Sequence, residues 1–243
     1  MASAAANADP ASFSAVVMAG GFGSRLQQVA NGLPKPMLPV GGRPLLELIV
    51  DRLRAAGARR VHLATHYRGE LISGHFGDGR PLGVDIRYLE EREPLGTAGA
   101  LALLRDDDEP LLVMNGDVLA AVDFRALWDF HRGAGADLTV AVRDEQLEIP
   151  YGVLELDGAN VTAVHEKPLL RYAISAGVYV LSPTARRVVP RGRRFDMPDL
   201  VGELLRTGRR VAAFPHEGYW IDVGRPDDYE RAQEDWRTGR ARR

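Results

Sequence analysis

The chain has 243 residues, 45% hydrophobic and 26% charged, enough to bury a sizeable core and incompatible with wholesale disorder. Thirty-one basic residues nearly balance 33 acidic ones, so no global positive field points to nucleic acid, although Arg237, Arg240, Arg242 and Arg243 make one end locally basic. Zero cysteines exclude disulfide scaffolds, thiolate zinc sites, iron–sulfur clusters and cysteine nucleophiles; without a signal-like start or a membrane-length apolar window, the expected location is the cytoplasm.

Residues 1–12 are small and polar and are expected to be disordered, and the basic stretch 237–243 is expected to fray. Between them, 13–236 reads as one domain without a linker. Apolar runs bounded by turn residues predict strands at 13–19, 60–65, 84–89, 111–114 and 137–142. PLLELIVDRLRAAG places Leu45, Leu46, Ile49 and Leu53 on one helical face, opens with Pro44 and stops before Gly57. DFRALWDFHRGAG forms a second helix, with Asp123 as its N-cap and Phe124, Leu127, Trp128 and His131 at helical spacing. Connections of this length favour parallel strands. From Gly152 the texture changes: GVLELDGANVTAVHE predicts a hairpin turning near Asp157 and Gly158, followed by a strand in AGVYVLS. The expected fold is therefore α/β, a Rossmann-like three-layer sandwich with a mostly parallel mixed central sheet and a small antiparallel insertion.

The first strand runs straight into Ala19, Gly20, Gly21, Phe22, Gly23, Ser24 and Arg25, and Lys35 follows in LPKPM. Glycines let backbone N–H groups approach phosphate oxygens, a guanidinium fork can clamp two of them, and a lysine adds a point charge. The same residues also suit a tight turn with surface cations. The loop matches neither standard nucleotide motif. A dinucleotide fingerprint needs another glycine where Arg25 and Leu26 stand, and a Walker loop needs Gly-Lys-Ser/Thr. Asp117 follows the apolar run LLVMNG, which places it at the carboxyl edge of a strand, where open α/β sheets bind ligands. Taken singly, Asp117 also reads as an N-cap and Asp222 as a turn residue. The six histidines lack the company of a zinc site and read as core or surface residues.

GGFGSRL followed by PKPMLPVGGRPLLE, then EREPLGTAGAL, NGDVL, YGVLE, HEKP, SAGVYVL and GYWIDVGRPDDY in that order, resembles the sugar-1-phosphate nucleotidyltransferases, or nucleotide-sugar pyrophosphorylases. The resemblance covers roughly residues 13–233 and looks closest to the mannose-1-phosphate and heptose-1-phosphate guanylyltransferase branch. It implies an enzyme that condenses GTP with a mannose- or heptose-like sugar 1-phosphate, giving a GDP-sugar and pyrophosphate. It also implies Mg²⁺ held jointly by Asp117 and Asp222, with Arg25 and Lys35 completing the catalytic set. Nucleotide contacts are implied for Ala19, Gly20, Gly21, Gly23, Ser24, Arg25, Lys35, Asp117, Glu91, Gly96 and Thr97. Glu91 could accept from both guanine N1–H and the 2-amino group, or could be a plain exposed acid among Glu90, Glu91 and Glu93. Sugar-phosphate contacts are implied for Gly152, Glu166, Lys167, Ser175, Gly177 and Asp222; Glu166 and Lys167 also read as a simple exposed ion pair.

Two departures bear on the sugar. Many members have Asn where Ser175 stands, and RLQQVANGLPKP has a spacing more like the heptose-1-phosphate enzymes. The alternatives are a thymidylyl- or uridylyltransferase on a hexose or cyclitol 1-phosphate and a nucleotide-sugar-binding protein without chemistry. A glycosyltransferase using the acidic run Asp106, Asp107, Asp108 and Glu109 is disfavoured, because that run reads as a solvated turn and leaves Arg25 and Lys35 unexplained. Neither nucleic acid nor membrane is expected as a partner; a homo-oligomer is compatible with the sequence.

Overall fold

A computed structural model describes residues 12–30, 32–104 and 109–242. In chain order its strands are β1 (Phe13–Met18), β2 (Pro39–Val40), β3 (Arg43–Pro44), β4 (Ala58–Thr65), β5 (Asp85–Glu90), β6 (Leu111–Asn115) and β7 (Val118–Ala120). They continue with β8 (Leu138–Glu148), β9 (Gly152–Asp157), β10 (Asn160–Glu166), β11 (Leu169–Leu181), β12 (Val211–Pro215) and β13 (Trp220–Asp222). The α-helices are α1 (Gln27–Ala30), α2 (Leu45–Ala55), α3 (Gly69–Phe76), α4 (Phe124–Ala134), α5 (Pro183–Arg186), α6 (Met197–Arg206) and α7 (Pro226–Arg237).

Seven strands form the central sheet in the order β12-β8-β11-β6-β1-β4-β5. The pairs β6-β1, β1-β4, β4-β5 and β12-β8 are parallel, and β11 runs antiparallel to both β6 and β8. The mixed, mostly parallel sheet expected from the sequence is thus present. In β1, alternation sends Ala15 and Val17 into one core and Val16 into the other. The first core holds the apolar faces of α2 and α4, and the second holds Met197, Leu200 and Leu204 of α6, which makes three layers. Burial on both faces is why the central strands read as unbroken apolar runs. The hairpin β9-β10 turns at Gly158, φ +60°, and pairs with no third strand among the described residues.

Three differences from the sequence reading have clear causes. Strands β8 and β11 extend past the core as a polar two-stranded ladder, whose partly solvated faces give no continuous apolar signal. Residues 220–222 form a short strand paired with 118–120, a contact invisible to local patterning because a hundred residues separate the two. At the basic end, Arg240–Arg242 form a 3₁₀ turn with Ala241 buried, and the Arg52 guanidinium donates to the carbonyls of Ala120 and Ala241. Residues 1–11, 31, 105–108 and 243, and with them Asp106, Asp107 and Asp108, lie outside the described set.

Candidate active site

The carboxyl ends of β1, β4, β5 and β6 lie at one edge of the sheet, and the glycine loop, Lys35, Asp117 and Asp222 gather there. The glycine loop leaves β1 at Ala19, whose N–H donates to Ala64 O at 2.8 Å. A Cβ on Gly20 would lie 2.9 Å from Glu91 Oε1 and 3.3 Å from His66 Cβ, so only glycine passes easily between β4's exit and β5's. Gly23, at φ +58°, rests on the stem of Lys35, where an added Cβ would lie 2.9 Å from Lys35 Cβ. Gly21 has open space around it, and Arg25 is exposed with no ion pair or hydrogen bond among the described residues. The side chain of Ser24 is outside the described set. Phe22 leans, half exposed, on His66 and Tyr67 with ring centroids 5.4 and 5.5 Å apart.

Lys35 is delivered by the 3₁₀ turn Lys35–Met37, which follows Pro34 and buries Pro36 and Met37. That segment is clamped from the far end of the chain. Tyr229 OH and Gln233 Nε2 of α7 donate to Pro39 O at 2.7 and 2.8 Å, and Gly41 passes so close to the Trp236 indole that an added Cβ would collide with it. On the other side, Gly116 N donates to Met18 O at 2.9 Å, and a Cβ there would lie 2.7 Å from that oxygen. The close turn puts Asp117 beside the loop. Pairing of Val118 with Asp222 then brings the second carboxylate alongside, and Val223 N donates to Asp117 O at 2.9 Å.

The result is a three-charge cluster. Lys35 Nζ lies 2.6 Å from Asp117 Oδ2 and 3.6 Å from Asp222 Oδ1, with the lysine side chain 12% exposed and the two carboxylates 32% and 52%. Burial pushes the Asp222 carboxyl above its ordinary range, and the neighbouring Asp117 charge adds to the rise; Lys35 opposes both. Two acceptor-only groups already turned onto one cation are a donor set suited to a hard divalent ion, which commonly takes one or two carboxylates and completes its shell with substrate oxygens and water. Among the described residues no group of three or more His, Asp or Glu forms a metal cage.

Glu91 reaches the site but is partly committed. Its Oε2 accepts from Leu95 N at 2.8 Å, so a two-pronged contact with guanine has to share that oxygen. Burial raises its pKa, and the Leu95 N–H partly offsets the rise. Gly96 and Thr97 face elsewhere: Thr97 N donates to Asp196 Oδ1 at 2.8 Å, Thr97 Oγ1 accepts from Met197 N at 2.8 Å, and Gly96 at φ +81° makes room for the Asp196 carboxylate. Thr97 thus helps to hold the start of α6, a role that its sequence neighbourhood does not reveal.

On the sugar side, β11 gains residues against β8 between Ser175 and Tyr179. Ser175 Oγ donates to Tyr179 OH at 2.8 Å and accepts from Gly177 N at 3.2 Å. The bulge presses Gly177, φ +71°, against the Asn115 amide. Trp220 Nε1 donates to Ala176 O at 2.8 Å, and the Arg143 guanidinium sits 4.9 Å from the Trp220 ring centre. Trp220 and Arg143 were not singled out from sequence, although Trp220 shares a strand face with Asp222 two residues on. Gly152 pairs with Glu166 on the hairpin, and Lys167 follows at φ +45°. No ion pair joins Glu166 to Lys167, and no hydrogen bond ties either to the Lys35 cluster, among the described residues. His66, read from sequence as ordinary, buttresses the glycine loop and pairs through Nδ1 with Glu91 O at 2.8 Å.

Comparisons with known proteins bear on the family and the fold. The family model described as "Nucleotidyl transferase" matches residues 14–239. A mannose-1-phosphate guanylyltransferase of Mycobacterium tuberculosis is 36% identical over 91% of this chain and 64% of its own length, so the chain spans less than two thirds of that relative. A D-glycero-alpha-D-manno-heptose 1-phosphate guanylyltransferase of Aneurinibacillus thermoaerophilus is 34% identical over 91% of this chain and 97% of its own length. The crystal structure of HddC from Yersinia pseudotuberculosis superposes with a TM-score of 0.72 at 27% identity, covering 92% of this chain and 99% of the other. The same protein complexed with GMP-PN gives a TM-score of 0.71 at 26% identity over the same shares of the two chains. With the glycine loop, the Lys35 cluster and a family match over nearly its whole length, the chain belongs to the nucleotidyl transferase family.

Proposed function

We propose that the protein is a sugar-1-phosphate guanylyltransferase, joining GTP to a mannose- or heptose-like sugar 1-phosphate with release of pyrophosphate. The observation that carries this reading is the convergence of Lys35, Asp117 and Asp222 beside the glycine loop. The guanylyltransferases among its relatives and the neighbour's GMP-PN complex support guanine as the base.

An oxygen of the sugar phosphate attacks the α-phosphorus, a new P–O bond forms, and the bond to the β-phosphate bridging oxygen breaks, with its electron pair leaving on pyrophosphate. Phosphate monoesters are largely dianionic at neutral pH, so the nucleophile needs no general base. Alignment and charge stabilisation carry the catalysis. Backbone N–H groups of Gly20, Gly21 and Gly23 cradle the triphosphate, and Arg25, uncommitted at the loop's mouth, binds the departing pyrophosphate. Lys35 neutralises the phosphates from beneath, while Lys167 and Glu166 approach the sugar phosphate from the hairpin. Asp117 and Asp222 would hold Mg²⁺, which when bound supplies Lewis-acid neutralisation of the reacting phosphoryl oxygens.

The test is a turnover screen of GTP, dTTP, UTP, ATP and CTP against a panel of sugar 1-phosphates, read by pyrophosphate release, with Asp117→Asn as the control. GTP with a mannose- or heptose-type phosphate is expected to dominate, and Asp117→Asn to lower turnover by ~10²-fold or more. Preference for dTTP or UTP overturns the base assignment, and nucleotide-sugar binding without pyrophosphate release in any pairing overturns the enzyme itself.

A further inference from the structure

The strip that delivers Lys35 is stiff. Pro34, Pro36 and Pro39 fix φ at three of six consecutive positions, and Pro36, Met37 and Leu38 are buried, so residues 34–39 move as one piece. Leu38 N donates to Lys35 O at 3.1 Å and closes the turn on which the lysine stands. The strip then runs into the hairpin β2-β3, which turns at Gly41 and Gly42, φ +60° and +83°, and pairs with no third strand among the described residues. Two residues a side are too few to hold a hairpin in place in water, so a neighbour has to fix it. That neighbour is α7. Among the described residues, Gln233 is the α7 side chain that meets both polarities of the turn. Its Oε1 accepts from Gly41 N at 3.0 Å and its Nε2 donates to Pro39 O at 2.8 Å, spanning two residues as a paired strand does. Nε2 also donates to Tyr229 OH at 3.0 Å, and that hydroxyl donates to Pro39 O at 2.7 Å. Both ends of the amide are engaged, and the Gly41 N–H fixes which way it faces.

We infer, given the guanylyl transfer proposed for this chain, that Gln233 is a positioning residue for it: by holding Pro39 and Gly41 onto α7, it sets where the Lys35 ammonium stands relative to Asp117, Asp222 and the reacting phosphates. The same helix starts at Pro226, shortly after Asp222 ends β13. The strip carrying Lys35 and the strand carrying Asp222 are thus tied to one element, and the 3.6 Å between Lys35 Nζ and Asp222 Oδ1 is set through it. Gln233 makes no hydrogen bond to the three charges among the described residues and acts through backbone alone. A point charge at a transferring phosphoryl group works by its placement, and a displacement of about 1 Å can cost ~10²-fold in rate.

A double-mutant cycle tests it, read by pyrophosphate release with the nucleotide and sugar 1-phosphate that the wild type turns over best. Gln233→Met keeps the length and bulk of the side chain and removes both polar ends. It is expected to lower kcat about tenfold or more in the otherwise wild-type chain, with the KM of the sugar 1-phosphate changed by less than about twofold. In a Lys35→Gln background the same change should lower kcat by less than about twofold, because the ammonium it positions is gone; in an Arg25→Lys background it should keep its full effect. A residue that only supports the fold would cost the same factor in all three backgrounds. Gln233→Glu, which keeps an acceptor for Gly41 N–H and loses the donor to Pro39 O, enters the same cycle and decides it should circular dichroism show the methionine variant unfolded. Equal losses with and without Lys35, or wild-type kcat in the folded variants, overturn the inference and leave the guanylyltransferase reading standing. A wild type that releases no pyrophosphate from any pairing of nucleotide and sugar 1-phosphate overturns that reading, and the role of Gln233 with it.

Discussion

Replacing Lys35 with Gln removes a positive charge that the structure sets between Asp117 and Asp222. The ammonium is nearly buried, at 2.6 Å from one carboxylate and 3.6 Å from the other, so its loss leaves two like charges facing each other. At an intermediate dielectric each contact amounts to several kcal/mol of gross attraction, but desolvation of the lysine takes back much of it. Asp222 is half exposed and its share is further screened, which leaves a net cost of about 1–2 kcal/mol. For a chain of this size that is a fall in Tm of roughly 2–8 °C in metal-free buffer. Turnover should fall further, by ~10²-fold or more, because a preorganised charge at the reacting phosphates acts on the barrier directly. The diagnostic measurement is differential scanning fluorimetry with and without millimolar Mg²⁺. A divalent cation between the carboxylates replaces the lost neutralisation, so Mg²⁺ should raise the variant's Tm by more than it raises the wild type's. A variant with wild-type Tm and wild-type pyrophosphate release would remove Lys35 from both the cluster and the mechanism; equal Mg²⁺ shifts in the two proteins would mean that the carboxylates do not hold the ion.

Glu91→Gln puts a donor group where Oε1 or Oε2 now accepts, and an unsatisfied partner in a buried site costs ~1–3 kcal/mol, so the preference for GTP over dTTP in kcat/KM should drop roughly tenfold to a hundredfold. An unchanged preference with a lowered Tm would instead assign Glu91 to holding Leu95 alone. Arg25→Lys keeps the charge but loses the fork, and clear impairment with unaltered Tm is expected because Arg25 makes no contact among the described residues that folding depends on; normal turnover in Arg25→Lys and Arg25→Ala reduces the loop to a turn. His131 is buried, bonded through Nδ1 to Thr139 Oγ1 at 2.8 Å, and burial holds its pKa below the ordinary value. The folded state therefore binds its proton less readily than the unfolded state, so this contribution to stability is present above about pH 6.5 and is lost as pH falls below it. Denaturant titrations at pH 7.5 and 5 should show a smaller pH-dependent loss in His131→Gln than in the wild type; an equal loss places the titration elsewhere.

The sequence by itself determined the class of fold and nominated the candidates for the site. Doubly buried strands such as 13–18 declare themselves as apolar runs, and the faces of α2 and α4 declare themselves by helical period, because both signals arise within a few residues. Family motifs supplied Arg25, Lys35, Asp117 and Asp222 for the same reason, each lying in a locally distinctive string. What only the tertiary structure decided is which of these side chains meet and which are already spent. The Lys35 cluster depends on a pairing of 118–120 with 220–222 and on a clamp of α7 onto Pro39 and Gly41, contacts across about a hundred and two hundred residues that no window reads. Gly96 and Thr97 sit in a motif that points to nucleotide, yet the fold brings Asp196 against both, and the hydrogen bonds of Thr97 go to the start of α6. His66 looks ordinary until β4 and β5 end side by side and set it under Gly20. Local patterning fixes what each segment is, because period and propensity act over a few residues. Partnership between charges and glycines is settled by packing, where a close approach of a few ångströms is decided by segments far apart in the chain.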